Sequence, residues 1–240
     1  MNAGTERLQQ IIDDSRRIVF FGGAGVSTES GLKDFRSSDG LYAEKFKYPP
    51  EYMLSADCFY RHTADFFDFY RQKLLVDGIK PNAAHYKVAE MEQKGRLIAV
   101  ITQNIDGLHQ AAGSKTVYEL HGSVLRNYCT KCGAFYDEKF IKDNRPIPLC
   151  PKCGGTVKPD VVLYGENLDE NVLAGAVRAL RNADTLIVAG TSLQVYPAAG
   201  LIDYFRGDNM VVINRDPVSV GGALFLQGKV GEILSKIAIK

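Results

Sequence analysis

The chain has 240 residues, 45% of them hydrophobic, and its 29 basic and 28 acidic side chains leave a formal charge of +1. That length and apolar content suffice for one large domain with its own core and exclude a disordered or fibrous chain. The near-cancellation of charge excludes a global field that would recruit nucleic acid or an anionic membrane.

The opening stretch, MNAGTERLQQIIDDSRR, is helix-like, polar and acidic, without the apolar core of a signal peptide or the acid-poor pattern of a transit peptide. No apolar run approaches the roughly 18 to 20 residues a membrane span requires. We therefore expect a cytoplasmic protein that makes no membrane contact. RIVFF (17–21) is a short β-rich run that stops at GGAG, a buried strand entering a tight turn. Glycines at 23 and 25, followed by a helix-compatible stretch, would let backbone N–H groups approach a pyrophosphate, although Thr28 occupies the third glycine position of the dinucleotide pattern.

Residues 37–77 are aromatic-rich and break the pattern, which resumes with helix-like NAAHYKVAEMEQKG and the strand LIAVIT (97–102). That strand runs into TQNIDGLH, where Gln103, Asn104 and Asp106 gather at its carboxyl end, the place where ligands bind in open α/β sheets. A strand-like run, VYEL, then ends at His121. After a second interruption, 125–157, helix-like NVLAGAVRALRNA precedes TLIVAG (185–190), and MVVIN (210–214) follows; these strands end in GTSLQVYP and in Asn214-Arg215-Asp216. Short apolar strands alternating with helices predict an α/β fold, a doubly wound parallel Rossmann-like sheet. We expect residues 1–36, 78–124 and 158–240 to form that domain. The insertions 37–77 and 125–157 should build a smaller helical and zinc-binding module.

Cys129, Cys132, Cys150 and Cys153 form C-x2-C-x17-C-x2-C, with Gly133, Gly154 and Gly155 behind the second and fourth cysteines. Two such knuckles place four thiolates around one zinc at about 2.3 Å, the glycines permitting the tight turns. A four-thiolate shell is closed to water and substrate, so the zinc is structural. It also leaves His121 spare. Cys58, in SADCFYRH, reads as a small core residue.

Taken together, GAGVSTESGLKDFR, TQNIDGLH, ELHGS, the four cysteines, KPDVVLYGE, GTSLQVYPA and Ile213-Asn214 resemble the sirtuins, the NAD-dependent protein lysine deacylases. These motifs span most of the chain, and the short segment ahead of them suggests a catalytic core of bacterial or archaeal type. The resemblance implies an enzyme that transfers acetyl from acetyl-lysine proteins or peptides to the ADP-ribose of NAD, releasing nicotinamide and O-acetyl-ADP-ribose. It implies that Ala24, Thr28, Phe35 and Arg36 line the NAD pocket. Gln103, Asn104, Ile105 and Asp106 would surround the nicotinamide ribose, with Asp106 on the carboxamide. Thr191, Ser192 and Asn214 would hold the adenosine half, and Val230 would touch adenine. Val161, Val162, Leu163, Tyr164 and Gly165, with Leu193, Gln194 and Val195, would clamp the peptide by strand addition. The catalytic pair would be His121 and Asn104, His121 removing a proton from a ribose hydroxyl.

Two residues depart from the family pattern: Lys33 replaces a proline, and Tyr164 a phenylalanine. In DFFDFYRQ, Phe67 and Tyr70 stand where succinyl-removing sirtuins carry a tyrosine and an arginine, which implies a preference for acetyl; a one-residue shift would bring in Arg71. We further expect a monomer with no specific nucleic-acid partner. Two other readings of the same residues are a mono-ADP-ribosyltransferase and a nucleic-acid-binding zinc ribbon on an α/β scaffold.

Overall fold

The computed structural model describes residues 3–35, 40–43, 46–218 and 220–240. In chain order its strands are β1 (Ile18–Gly22), β2 (Leu97–Thr102), β3 (Val117–Glu119), β4 (Gly122–Cys129), β5 (Phe135–Tyr136), β6 (Val157–Val161), β7 (Thr185–Ala189), β8 (Asn209–Asn214) and β9 (Leu224–Gln227). Every residue of β1 and β7 is buried, as a strand covered on both faces requires. The six-stranded sheet runs β3-β2-β1-β7-β8-β9 and is parallel throughout. Strand order therefore reverses between β1 and β7.

Successive side chains of β1 point to opposite faces. Phe20 joins Leu8, Ile12, Val88, Met91 and Leu234, contributed by helices Ala3–Asp14, Ala83–Gln93 and Val230–Leu234. Phe21 joins Ala176, Leu180 and Leu201, from helix Glu170–Asn182 and the 3-10 segment Ala198–Tyr204. Asn82 and Asp169 start two of these helices by accepting backbone N–H groups of Ala84 and of Asn171 and Val172.

The two interruptions share one core. Helices Ala56–Arg61 and Thr63–Lys73 supply Phe59, Phe66, Phe67 and Tyr70, and these pack with Ile141, Cys129, Cys150 and Val157. Beside them lies an antiparallel sheet, β5-β4-β6. It runs from Gly122 to Val161, so β4 and β6 continue past 125–157 into the flanking chain. Arg126 joins the sheets, its guanidinium lying 2.7 Å from Glu119 on β3 and 2.8 Å from Asp160 on β6.

Candidate active site

Parallel strands end on the same edge, so the loops after β1, β2, β3, β7 and β8 gather there. Between that edge and the small module lies a cleft of about 970 Å³. Ala24, Thr28, Phe35, Gln103, Asn104, Ile105, Asp106, His121, Thr191, Ser192, Asn214 and Val230 all line it. So do Val161, Val162, Leu163, Tyr164, Gly165, Gln194 and Val195. Leu193 instead packs with the apolar cluster on the Phe21 face of the sheet. Arg36 lies outside the described residues.

The glycine loop works differently from the expectation. Two short 3-10 turns, Ala24–Val26 and Thr28–Ser30, stand where a helix N-terminus was expected. The N–H groups of Gly23 and Gly25 donate to Ala189 O and Gly190 O, at 3.0 and 2.8 Å. A Cβ on Gly25 would lie 2.8 Å from the Gly190 Cα. These glycines let the β1 and β7 loops touch, which sets the floor of the cleft; their amides are spent on that contact.

Asp106 is held at both oxygens: Leu108 N donates to Oδ1 at 2.9 Å and Ser27 Oγ to Oδ2 at 2.7 Å. Asn104 Nδ2 donates to the same Ser27 hydroxyl at 3.0 Å, and Gln103 Nε2 to Thr191 Oγ1 at 3.1 Å. The loops after β1, β2 and β7 are thus tied into one polar wall. Ser27, inside GAGVSTES but given no role by the sequence reading, is its centre. Behind this wall His85 and His109 are buried with ring centroids 4.8 Å apart. Burial pushes their pKa values down to about 4 and about 3, so both are neutral and His109 supports the loop from within.

His121 Nδ1 lies 2.9 Å from the Gln103 carbonyl. A carbonyl only accepts, so the proton sits on Nδ1 and Nε2 carries the lone pair. Burial holds the imidazole pKa below its ordinary 6.5, partly opposed by the bond to Gln103. Its own carbonyl accepts from Val162 N at 3.0 Å, which fixes the histidine to the segment after β6. In that segment Leu163 N is bound to Glu166 and Tyr164 N to Leu54 O. A peptide strand laid along 162–164 therefore meets no open backbone donor before Gly165.

The acyl-end expectation shifts. Phe67 and Tyr70 are fully buried in the small-module core and are not among the cleft-lining residues; Gln72, Lys73 and Leu74 of the same segment line it. Arg71 is committed elsewhere, donating to Ile141 O, Asn144 O and Pro146 O at 2.7, 2.6 and 2.9 Å. Lys73 sits with its ammonium 5.3 Å from the Phe46 ring centroid.

The sulfurs of Cys129, Cys132, Cys150 and Cys153 lie within 4.8 Å of one another. Four thiol ligands at that spacing, on knuckles turned by Gly133 and Gly154 at φ 68 and 72, fit a tetrahedral zinc. The Tyr136 hydroxyl lies 3.0 Å from Cys150 Sγ and helps bring that thiol down to about 6. Cys58 is buried and its thiol pushed up to about 11, inert as a core residue.

The Sir2 family model matches residues 23–197. An NAD-dependent protein deacetylase of Clostridium perfringens is 54% identical over 242 residues, 99% of each chain. A solved Sir2 complex with NAD+ and a p53 peptide superposes with TM-score 0.85 at 35% identity, covering 98% of this chain and 97% of that one. Another, holding a deacetylated p53 peptide and 3'-O-acetyl-ADP-ribose, gives 0.88 at 36% identity over 96% and 95%.

Proposed function

The chain belongs to the Sir2 family, and from that premise we propose the part each residue of the cleft plays. The protein is an NAD-dependent protein deacetylase: it moves the acetyl group of acetyl-lysine to ADP-ribose and releases nicotinamide and O-acetyl-ADP-ribose. The observation that carries the residue roles is the bond from His121 Nδ1 to the Gln103 carbonyl, which leaves an unprotonated Nε2 in a cleft lined by polar strand ends.

NAD supplies the ribose carbon to which the acyl oxygen bonds as nicotinamide leaves. Gln103, Asn104, Ile105 and Asp106 hold that end, Asn104 acting beside His121 and Asp106 offering a carboxylate already oriented by Ser27 and Leu108 N. Fixed dipoles and a fixed charge near a developing cation need no reorganisation when the bond breaks. His121 Nε2 takes a proton from a ribose hydroxyl. Thr191, Ser192, Asn214 and Val230 hold the adenosine half, and Ala24, Thr28 and Phe35 complete the pocket; for Arg36, outside the described residues, the same role rests on the family motif alone. The segment 161–165, with 193–195, seats the peptide, Leu193 through its backbone. The zinc is held by Cys129, Cys132, Cys150 and Cys153 and is structural.

The division into 1–36, 78–124 and 158–240 against 37–77 and 125–157 belongs to this proposal, as do a monomeric state and a cytoplasmic location. A reducing compartment keeps four thiols available for zinc. No helix among the described residues is long and apolar enough to cross a membrane. Mass spectrometry of an acetyl-lysine peptide incubated with NAD tests the reaction class. Loss of acetyl is the expected result; a gain of ADP-ribose mass would assign a mono-ADP-ribosyltransferase instead.

A further inference from the structure

We infer that Tyr164, acting through Tyr42, is a positioning residue that couples the peptide side of the cleft to its cofactor wall. The inference rests on the NAD-dependent reading above. Its starting point is the departure noted in the sequence, a tyrosine where phenylalanine is usual.

The added hydroxyl has a partner. Tyr164 Oη lies 2.9 Å from Tyr42 Oη, across 122 residues of chain. Tyr164 is the anchored member, because Tyr164 N donates to Leu54 O at 2.9 Å and Ala56 N to Tyr164 O at 3.0 Å. Tyr42 belongs to the other wall. Its N–H donates to Phe35 O at 2.9 Å, and Leu41 N donates to Asp34 O at 2.8 Å, so 34–35 and 41–42 run as a bonded pair. The Phe35 ring packs edge-on against Tyr42 with centroids 5.7 Å apart. Phe35, Tyr42 and Tyr164 all line the cleft.

A force path therefore runs from the segment after β6, through two hydroxyls, to the aromatic wall at Phe35. Phenylalanine at 164 would keep the ring and lose only this link. The expected consequence is a Phe35 wall less well placed for NAD, at a site where the ring that faces the peptide is unchanged. One hydroxyl–hydroxyl bond of this kind corresponds to an effect of about threefold to tenfold. A bond shared by the two hydroxyls is lost only once, so removing both should cost less than the product of the two single losses.

The test is a double-substitution cycle, Tyr164→Phe, Tyr42→Phe and the pair. KM for NAD is measured at saturating acetyl-lysine peptide, KM for peptide at saturating NAD, and thermal unfolding alongside. We expect KM for NAD to rise about threefold to tenfold in each single variant, and in the double by less than the product of the two single effects. Peptide KM in Tyr42→Phe should change by less than about twofold, with unfolding temperatures unmoved. An unchanged KM for NAD in Tyr164→Phe, single effects that multiply in the double, or a rise seen only in peptide KM would overturn the inference. A wild-type protein that consumes no NAD would overturn the functional reading first, and this inference with it.

Discussion

His121 is made a base by its neighbours. Its ring donates to Gln103, its carbonyl accepts from Val162, and burial keeps it neutral. His121→Ala should lower deacetylation by at least about a hundredfold while NAD affinity, measured by calorimetry, changes by no more than a few-fold. A variant keeping more than about a tenth of wild-type turnover would show that another group takes the proton. Because the pKa is lowered, the neutral form is present above the lowered value and is lost as pH falls through it. The acid limb of kcat/KM should thus bend below pH 6.5, the ordinary imidazole value; a bend above 6.5 would contradict the assignment. The histidine was legible in the sequence because four cysteines already close the metal shell and a family motif surrounds it. Ser27 was not. Its role depends on meeting Asp106 and Asn104 across 79 and 77 residues, and no local spacing encodes that meeting.

The elements divide in the same way between legible and hidden. β1, β2, β7 and β8 could be read because strands buried on both faces are continuous apolar runs. β9 escaped because it is four residues long with two of them exposed, and β6 because its buried positions, Val157, Pro159 and Val161, alternate with Lys158 and Asp160. The cysteines, by contrast, declare their element outright. Cys150→Ser should lose its zinc and much of the small-module fold, since three thiolates close the shell poorly and metal binding is coupled to folding; stoichiometric zinc with an unchanged melting curve would refute this. Tyr136→Phe, which removes only the hydroxyl beside Cys150, should release zinc to a chelator at least about tenfold faster. Helix Thr63–Lys73 reaches the cleft only at its end, through Gln72 and Lys73. Arg71 is bound to three carbonyls at the end of helix Glu138–Asp143 and cannot reach an acidic acyl tail without breaking those bonds. Lys73, over Phe46, is the cation of that helix that lines the cleft. We expect acetyl-lysine to be preferred over succinyl-lysine by at least about a hundredfold in kcat/KM, roughly 2.7 kcal/mol. Comparable rates on matched peptides would point to Lys73 as a carboxylate partner.

At the scale of the molecule, the doubly wound sheet gathers five loops on one edge, and the small module, built from two separated stretches, roofs them. The buried pair His85 and His109 lies behind the polar wall, where helix Ala83–Gln93 meets the loop after β2. Both have folded-state pKa values depressed below 6.5, so the unfolded chain binds the extra protons. Their contribution to stability is complete above about pH 6.5 and is lost as pH falls toward the folded values, by up to about 1.4 kcal/mol per unit for each. Urea midpoints should drop between pH 7 and pH 5, and less so in His109→Phe; equal midpoints would show that the pair does not stay neutral. Nicotinamide release from NAD, measured with and without an acetyl-lysine peptide, tests whether this cleft consumes NAD only to remove an acyl group. Release should require the peptide, yield one nicotinamide per acetyl lost, and collapse in His121→Ala under multiple turnover. Release that ignores the peptide, or acetyl loss without NAD, would contradict that coupling.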